Sequence, residues 1–333
     1  MSNRIKFTCL ITILFLIELL GYEPFHYSID IESGLPSNEI YDIITDSENI
    51  VWITTDRGVV KYNGYDYEIF TSEEGLADNT NFYFNTIEDD EIWLSGFNRK
   101  LSYFRNDSIF SYEYNKELLV LLGGRTDGWA KYIFKHNDMY YFSTFKNPSG
   151  IELFQFSKNT PPKQIDKAEI DHTEVLENED GILIRKNNIS YFFYNCMNND
   201  YVNKYGVMKA VVGVNNKIYC HGDQQLIIIE NGKKLLKIAV PSKILRIFID
   251  NQNNLWVCTM NGLLFYKDAN TNNKPKLFFE HLIISCIVQD FQGNYWVGTN
   301  NSGIKLLPKP DIEKFSISNS SEKYESILSI CQY

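Results

Sequence analysis

Four Asp-turn-Trp segments, a spacing near 41 residues, and short runs rich in Ile, Val, Tyr and Phe without helical periodicity predict an all-β chain. The architecture that satisfies all three is a seven-bladed β-propeller of four-stranded antiparallel blades. In each segment an apolar run ends in an Asp (Asp46, Asp89, Asp250, Asp290), a polar turn follows, and then comes a Trp (Trp52, Trp93, Trp256, Trp296). The Asp-to-Trp distance is six residues in three copies and four in the second, and a Gly opens the next run in three copies (Gly58, Gly262, Gly303).

The period has an independent witness. ESGLPSN around Gly34 recurs as EEGLADN around Gly75, an offset of 41 residues that equals the distance from Trp52 to Trp93. From Trp52 to Trp296 is 244 residues, room for six such steps. Three weaker copies fill the middle, with Tyr141, Ile184 and Tyr219 in or near the Trp position, which brings the count to seven.

Taken in order, the first copy reads as strands at 41–45, 51–55, 59–62 and 67–71, divided by turns rich in Asp, Asn, Ser and Gly. The Trp on the second strand is expected between neighbouring sheets, burying on the order of 200 Å² of ring surface. The turn Asp is expected to accept hydrogen bonds from backbone N–H groups of its own hairpin. These eight Trp and Asp residues are read as structural, and no catalytic residue is assigned.

The ends differ from the repeats. Arg4 and Lys6 precede an apolar run from Phe7 to Leu20, and Gly21 is a small residue at a plausible cleavage point, so residues 1–21 read as an export signal. An uncleaved anchor is the alternative, because Glu18 interrupts the run. Residues 22–324 are assigned to the propeller and 325–333, ESILSICQY, to the first strand of a further, truncated repeat. FHYSID from Phe25 is expected to pair into the last blade and close the ring, with ESILSICQY as the alternative closing strand.

A net charge of −10 argues against nucleic acid as a partner, since a phosphate backbone needs a basic face. Six Cys residues, one of them in the leader, show no metal-ligand spacing, so neither a disulfide framework nor zinc is expected, and no cofactor is implied.

The run GLPSNEIYDIITDSENIVWITTDRGVVKYNG, Gly34 to Gly64, resembles the two-component regulator propeller repeat. The likeness is close in residues 30–72 and 245–306, fair in 73–110 and poor in 111–243. It implies the periplasmic sensor region of a hybrid histidine kinase or related membrane-bound regulator, with an oligosaccharide as ligand and with further domains or a second copy as partners. The kinase, membrane and DNA-binding parts that usually follow have no counterpart in the sequence, so the resemblance implies the front end of such a sensor rather than an enzyme. A propeller lyase, of the kind that acts on cyclic peptides, or a glycan-active enzyme is the enzymatic alternative, and a secreted protein-interaction scaffold is a third reading.

Ligands of propellers generally sit at the channel mouth, on loops between second and third strands. The candidates there are Asp56, Arg57, Asn98, Arg99, His221, Asp223, Asn261 and Asn300. Polar side chains with two Arg groups suit hydroxyl-rich or acidic sugars, although Asn and Asp are also ordinary turn residues. His221 beside Asp223 is the one combination that a general acid-base mechanism would use.

Overall fold

The computed structural model describes residues 23–309 apart from 87–90, 107, 124–130, 137–138, 147–149, 166–173, 179–180, 187–188, 195–206, 213–216 and 231–232. The leader at 1–21, residues 325–333 and Asp89 therefore lie outside the described residues. After β1 (Tyr27–Ile29), the first four-stranded sheet is β2 to β5 (Ile40–Thr45, Val51–Thr55, Gly58–Tyr62, Tyr67–Phe70). The second is β6 to β9 (Asn81–Thr86, Glu91–Gly96, Leu101–Arg105, Ser108–Ser111), followed by the short helix α1 (Asn115–Leu121). The third is β10 to β13 (Lys131–His136, Met139–Lys146, Gly150–Ser157, Thr160–Ile165). Two further sheets close the series: β21 to β24 (Ile244–Ile249, Leu255–Thr259, Gly262–Tyr266, Lys276–Phe278), and β25 to β27 (Ile284–Gln289, Tyr295–Thr299, Ile304–Leu307) completed by β1.

The middle departs from the expected count. Here β14 to β17 (Glu174–Asn178, Gly181–Lys186, Ile189–Tyr194, Val207–Val212) and β18 to β20 (Ile218–His221, Gln225–Glu230, Lys233–Ala239) form one seven-stranded sheet. The described strands thus make six sheets, where seven separate blades were expected. In this stretch β16 pairs directly with β17, Phe192 opposite Met208.

The sheets nonetheless follow one another around a ring. β2 adjoins β6, β6 adjoins β10, β11 adjoins β17, β17 adjoins β21, β21 adjoins β25, and β25 returns to β2. The last sheet is completed by the N-terminal strand: Tyr27 stands opposite Leu306, Ser28 opposite Lys305 and Ile29 opposite Ile304. Gly303 makes this possible, because a β-carbon there would lie 2.3 Å from the Ile29 carbonyl oxygen and its φ is +65°. Among the described residues no helix is long and apolar enough to cross a membrane.

Packing follows from the repeat. In three copies the carboxylate after the first strand divides its two oxygens between two tasks. Asp46 Oδ1 accepts from the backbone N–H of Glu48 (3.0 Å) and Ile50 (2.9 Å), while Oδ2 accepts from Trp52 Nε1 (2.9 Å). Asp250 and Asp290 repeat the pattern with Trp256 (2.9 Å) and Trp296 (3.0 Å). The third residue after each Asp is left-handed, Asn49 at φ 63°, Asn253 at 61° and Gly293 at 91°, residue types that tolerate that region.

Held at its nitrogen, each indole lies against the next sheet. Trp52 packs with Ile92, Leu94 and Phe104, Trp93 with Tyr140, Phe142 and Phe156, and Trp296 with Ile43, Ile53 and Val60 across the ring closure.

Candidate ligand-binding face

The loops joining second to third strands are shaped by the residue that ends the second strand. Thr55 Oγ1 donates to the Gly58 carbonyl (2.8 Å) and accepts from the Arg57 N–H (3.0 Å). Thr259 does the same with Gly262 and Asn261, and Thr299 with Gly303 and Ser302. The loops are also tied to the connections between sheets: Phe97 N–H donates to Thr80 O (2.8 Å), Met260 N–H to Lys243 O (2.9 Å) and Asn300 N–H to Ile283 O (3.1 Å). One face of the ring is therefore an interlocked rim.

The candidate residues on this rim do not all present free groups. Asn98 is consumed internally, its amide nitrogen donating to Ala77 O (3.0 Å) and its oxygen accepting from the Lys100 N–H (3.0 Å). Asn261 accepts from the His281 N–H at 3.1 Å. Asn300 is tied through its backbone. His221 Nδ1 lies 3.0 Å from the Gly222 carbonyl, and Asp223 Oδ1 lies 3.8 Å from the Lys243 ammonium.

Asp56, Arg57 and Arg99 differ. Arg57 is exposed and its Nε lies 4.0 Å from Asp56 Oδ2. Asp56 Oδ1 and Arg99 Nη1 are buried atoms without a hydrogen-bond partner, as is Asp223 Oδ1 among the other candidates. Arg99 also holds φ 67°, a conformation that a non-glycine residue adopts at a cost.

Beside them stands an aromatic cluster absent from the sequence-based list. Tyr41 and Phe82 meet edge to face at 4.9 Å, and Phe82 meets Phe97 at 6.0 Å. Phe97 is 61 % exposed. Tyr41 donates to Glu39 Oε2 (2.7 Å), and its phenol is held well above its ordinary pKa by burial first, then by Glu39 and the charge of Asp56. Tyr41 and Phe82 are the extra residues of β-bulges, where the first strand slips register against the second between Ile40 and Asp42 and between Asn81 and Tyr83. The bulge turns these rings away from the sheet packing.

The residue after each bulge points into the ring. Asp42 accepts from the Ile43 N–H (2.9 Å) and from the Phe84 N–H of the next sheet (3.0 Å), and its carboxylate also pairs with Arg246 from β21. The Arg246 guanidinium lies 5.9 Å from the Tyr83 ring centroid. Cys286 belongs to the same layer, and burial pushes its thiol up to about 12, which keeps it protonated and inert. Three sheets are thereby joined by one buried ion pair. Among the described residues no group of three or more His, Cys, Asp or Glu side chains could hold a metal ion.

A closed series of antiparallel sheets with loops forming one rim is a β-propeller. Residues 34–57 and 279–301, in the first and last full copies, match the two-component regulator propeller. Its fold is similar to the extracellular domain of a hybrid two-component system from B. thetaiotaomicron, at 16 % identity and TM-score 0.60 over 86 % of this chain. A second such domain from B. thetaiotaomicron matches at 17 % identity and TM-score 0.55 over 85 % of this chain. The chain spans 40 % of the first and 42 % of the second. Virginiamycin B lyase from Staphylococcus aureus shares the fold at 12 % identity and TM-score 0.56, over 81 % of this chain and 95 % of the lyase. A comparison with curated protein sequences finds no match.

Proposed function

We propose that the chain is the extracytoplasmic ligand-sensing propeller of a two-component-type regulator, and that its ligand is an oligosaccharide bound on the rim around Phe97. The observation that carries this reading is the pairing of an aromatic cluster, exposed Phe97 with half-buried Phe82 and Tyr41, with Asp56 and Arg99, whose unpartnered polar atoms lie in the same region of the rim. Aromatic faces stack on the apolar faces of sugar rings, while a carboxylate and a guanidinium satisfy hydroxyl groups in fixed directions. Binding shifts the orientation of partner domains, either the rest of a membrane-bound sensor or a second copy of the chain. Residues 1–21 serve as the export signal in this reading.

The test is a thermal-shift screen of the full chain against oligosaccharides, neutral and acidic, with Arg99→Ala and Phe97→Ala alongside. A ligand should raise the melting temperature of the parent and not of either variant. If no oligosaccharide shifts the parent, or if both variants respond as it does, the rim is not the site.

A further inference from the structure

A second concavity lies away from the rim, between the β21–β24 blade and the blade made by β25 to β27 with β1. It is a cleft of about 970 Å³, at the upper end of the size range of small-molecule sites. Its walls are aromatic: Trp256, Phe265, Phe278 and Tyr295 line it. Trp256 stands 4.5 Å from Phe265 and 4.9 Å from Tyr295 between ring centroids, in tilted arrangements.

The polar atoms of this wall are turned inward. Trp256 Nε1 and the Tyr295 hydroxyl both donate to Asp250 Oδ2, at 2.9 and 2.7 Å. Asn254 Nδ2 donates to the same oxygen at 2.9 Å, and Asn254 Oδ1 accepts from the Asp268 N–H at 3.0 Å. Trp256 and Tyr295 are buried, so the ring surface facing the cleft is mainly that of Phe265 and Phe278. The Asp250 carboxylate behind the wall is saturated by its donors, while Lys276 and Lys309 contribute to the lining itself and Lys276 is exposed. Ring surface beside two ammonium groups suits a flat anion locally, against the overall charge of −10.

We infer that this cleft is a binding site for a planar aromatic anion, its ring system against Phe265 and Phe278 and its charged group toward Lys276 and Lys309. Pro24 and Phe25, which lead into the closing strand β1, form part of the wall. An occupant thus touches both the β21–β24 blade and the strand that completes the last sheet, so binding stabilises the closed ring by mass action.

The site is separable from the rim, and one probe tests it. Anilinonaphthalenesulfonate, a planar aromatic anion, should bind the full chain at one site with a blue-shifted emission and with quenching of Trp fluorescence by energy transfer. Lys276→Glu, a change at an exposed position, should weaken it by about tenfold, while the uncharged analogue phenylnaphthylamine binds parent and variant alike. Leu277→Glu, at the cleft edge, should weaken both probes, and Phe97→Ala on the rim should change neither. Failure of the parent to bind the anionic probe overturns the inference, as does equal binding of that probe by the parent and Lys276→Glu. Neither result bears on the rim, whose test uses different ligands and different variants.

Discussion

Two blades solve one packing problem with different carboxylates. In the β21–β24 blade, Asp250 takes the indole of Trp256, the hydroxyl of Tyr295 from the next blade, and the backbone N–H groups of Gln252 (3.0 Å) and Asn254 (2.7 Å). In the β6–β9 blade, Glu91 takes the indole of Trp93 at 2.5 Å and the hydroxyl of Tyr140 from the next blade at 2.6 Å. It also pairs with Lys158, whose ammonium lies 5.1 Å from the Tyr103 ring centroid. Glu91 stands two residues before its Trp and reaches the indole with a longer side chain. The arrangement retained is an indole N–H and a tyrosine O–H converging on one carboxylate. Asp250 also organises its own turn, through the N–H groups of Gln252 and Asn254.

Asp250→Ala should have the largest effect on this contrast. It leaves an indole, a hydroxyl, an amide and two backbone N–H groups without their acceptor, and should cost about 3 to 5 kcal/mol in urea unfolding. Glu91→Gln keeps an acceptor for the indole and loses the charge, so its cost should be about 1 to 2 kcal/mol. Equal losses in the two variants would mean that the turn contributes nothing and that the contrast is empty.

Tyr295→Phe should be the mildest at neutral pH, about 1 kcal/mol. Its signature lies in alkali. Burial, and then the hydrogen bond to Asp250, hold the Tyr295 phenol well above its ordinary value of 10.0. The unfolded phenol ionises near pH 10 while the folded one stays neutral, so the stabilisation is complete below that pH and is lost as pH rises beyond it. The phenylalanine variant should lose stability less steeply than the parent above pH 10, by the equivalent of one proton. Identical slopes would place the hydroxyl outside the latch.

How much of this was readable from the chain depends on distance along it. The Asp and Trp of one hairpin stand six residues apart, so their partnership shows as spacing, and the first-copy strands expected at 41–45 and 51–55 lie at Ile40–Thr45 and Val51–Thr55. Glu91 gave no such signal, because it meets the indole from within the strand, two residues before it. Asp42 and Arg246 are 204 residues apart, and nothing local marks either one. The rim aromatics Tyr41 and Phe82 resemble ordinary strand residues, and only the register slip of the bulge distinguishes them. Of the eight rim candidates named from loop position, Asn98 and Asn261 tie their loops to the connections between sheets, which loop position alone does not separate from recognition. The seven-stranded sheet arises where the repeat signal is weakest, around Ile184 and Tyr219.

The pairing of β1 with β27 sets the order in which the molecule can be finished. Lys305 Nζ donates to Ser28 Oγ at 3.0 Å across 277 residues of sequence, about as non-local as a contact in this chain can be. Every other described sheet is built from strands that follow one another, and each hairpin can form as soon as its own residues are available. The closing strand β1 is therefore translated well before the strand it completes, and until Gly303 and β27 follow, Tyr27 has no sheet edge to join. Ring closure waits on the most non-local strand pairing among the described residues, three residue pairs of β1 with β27 beside the Trp296 packing across the same seam.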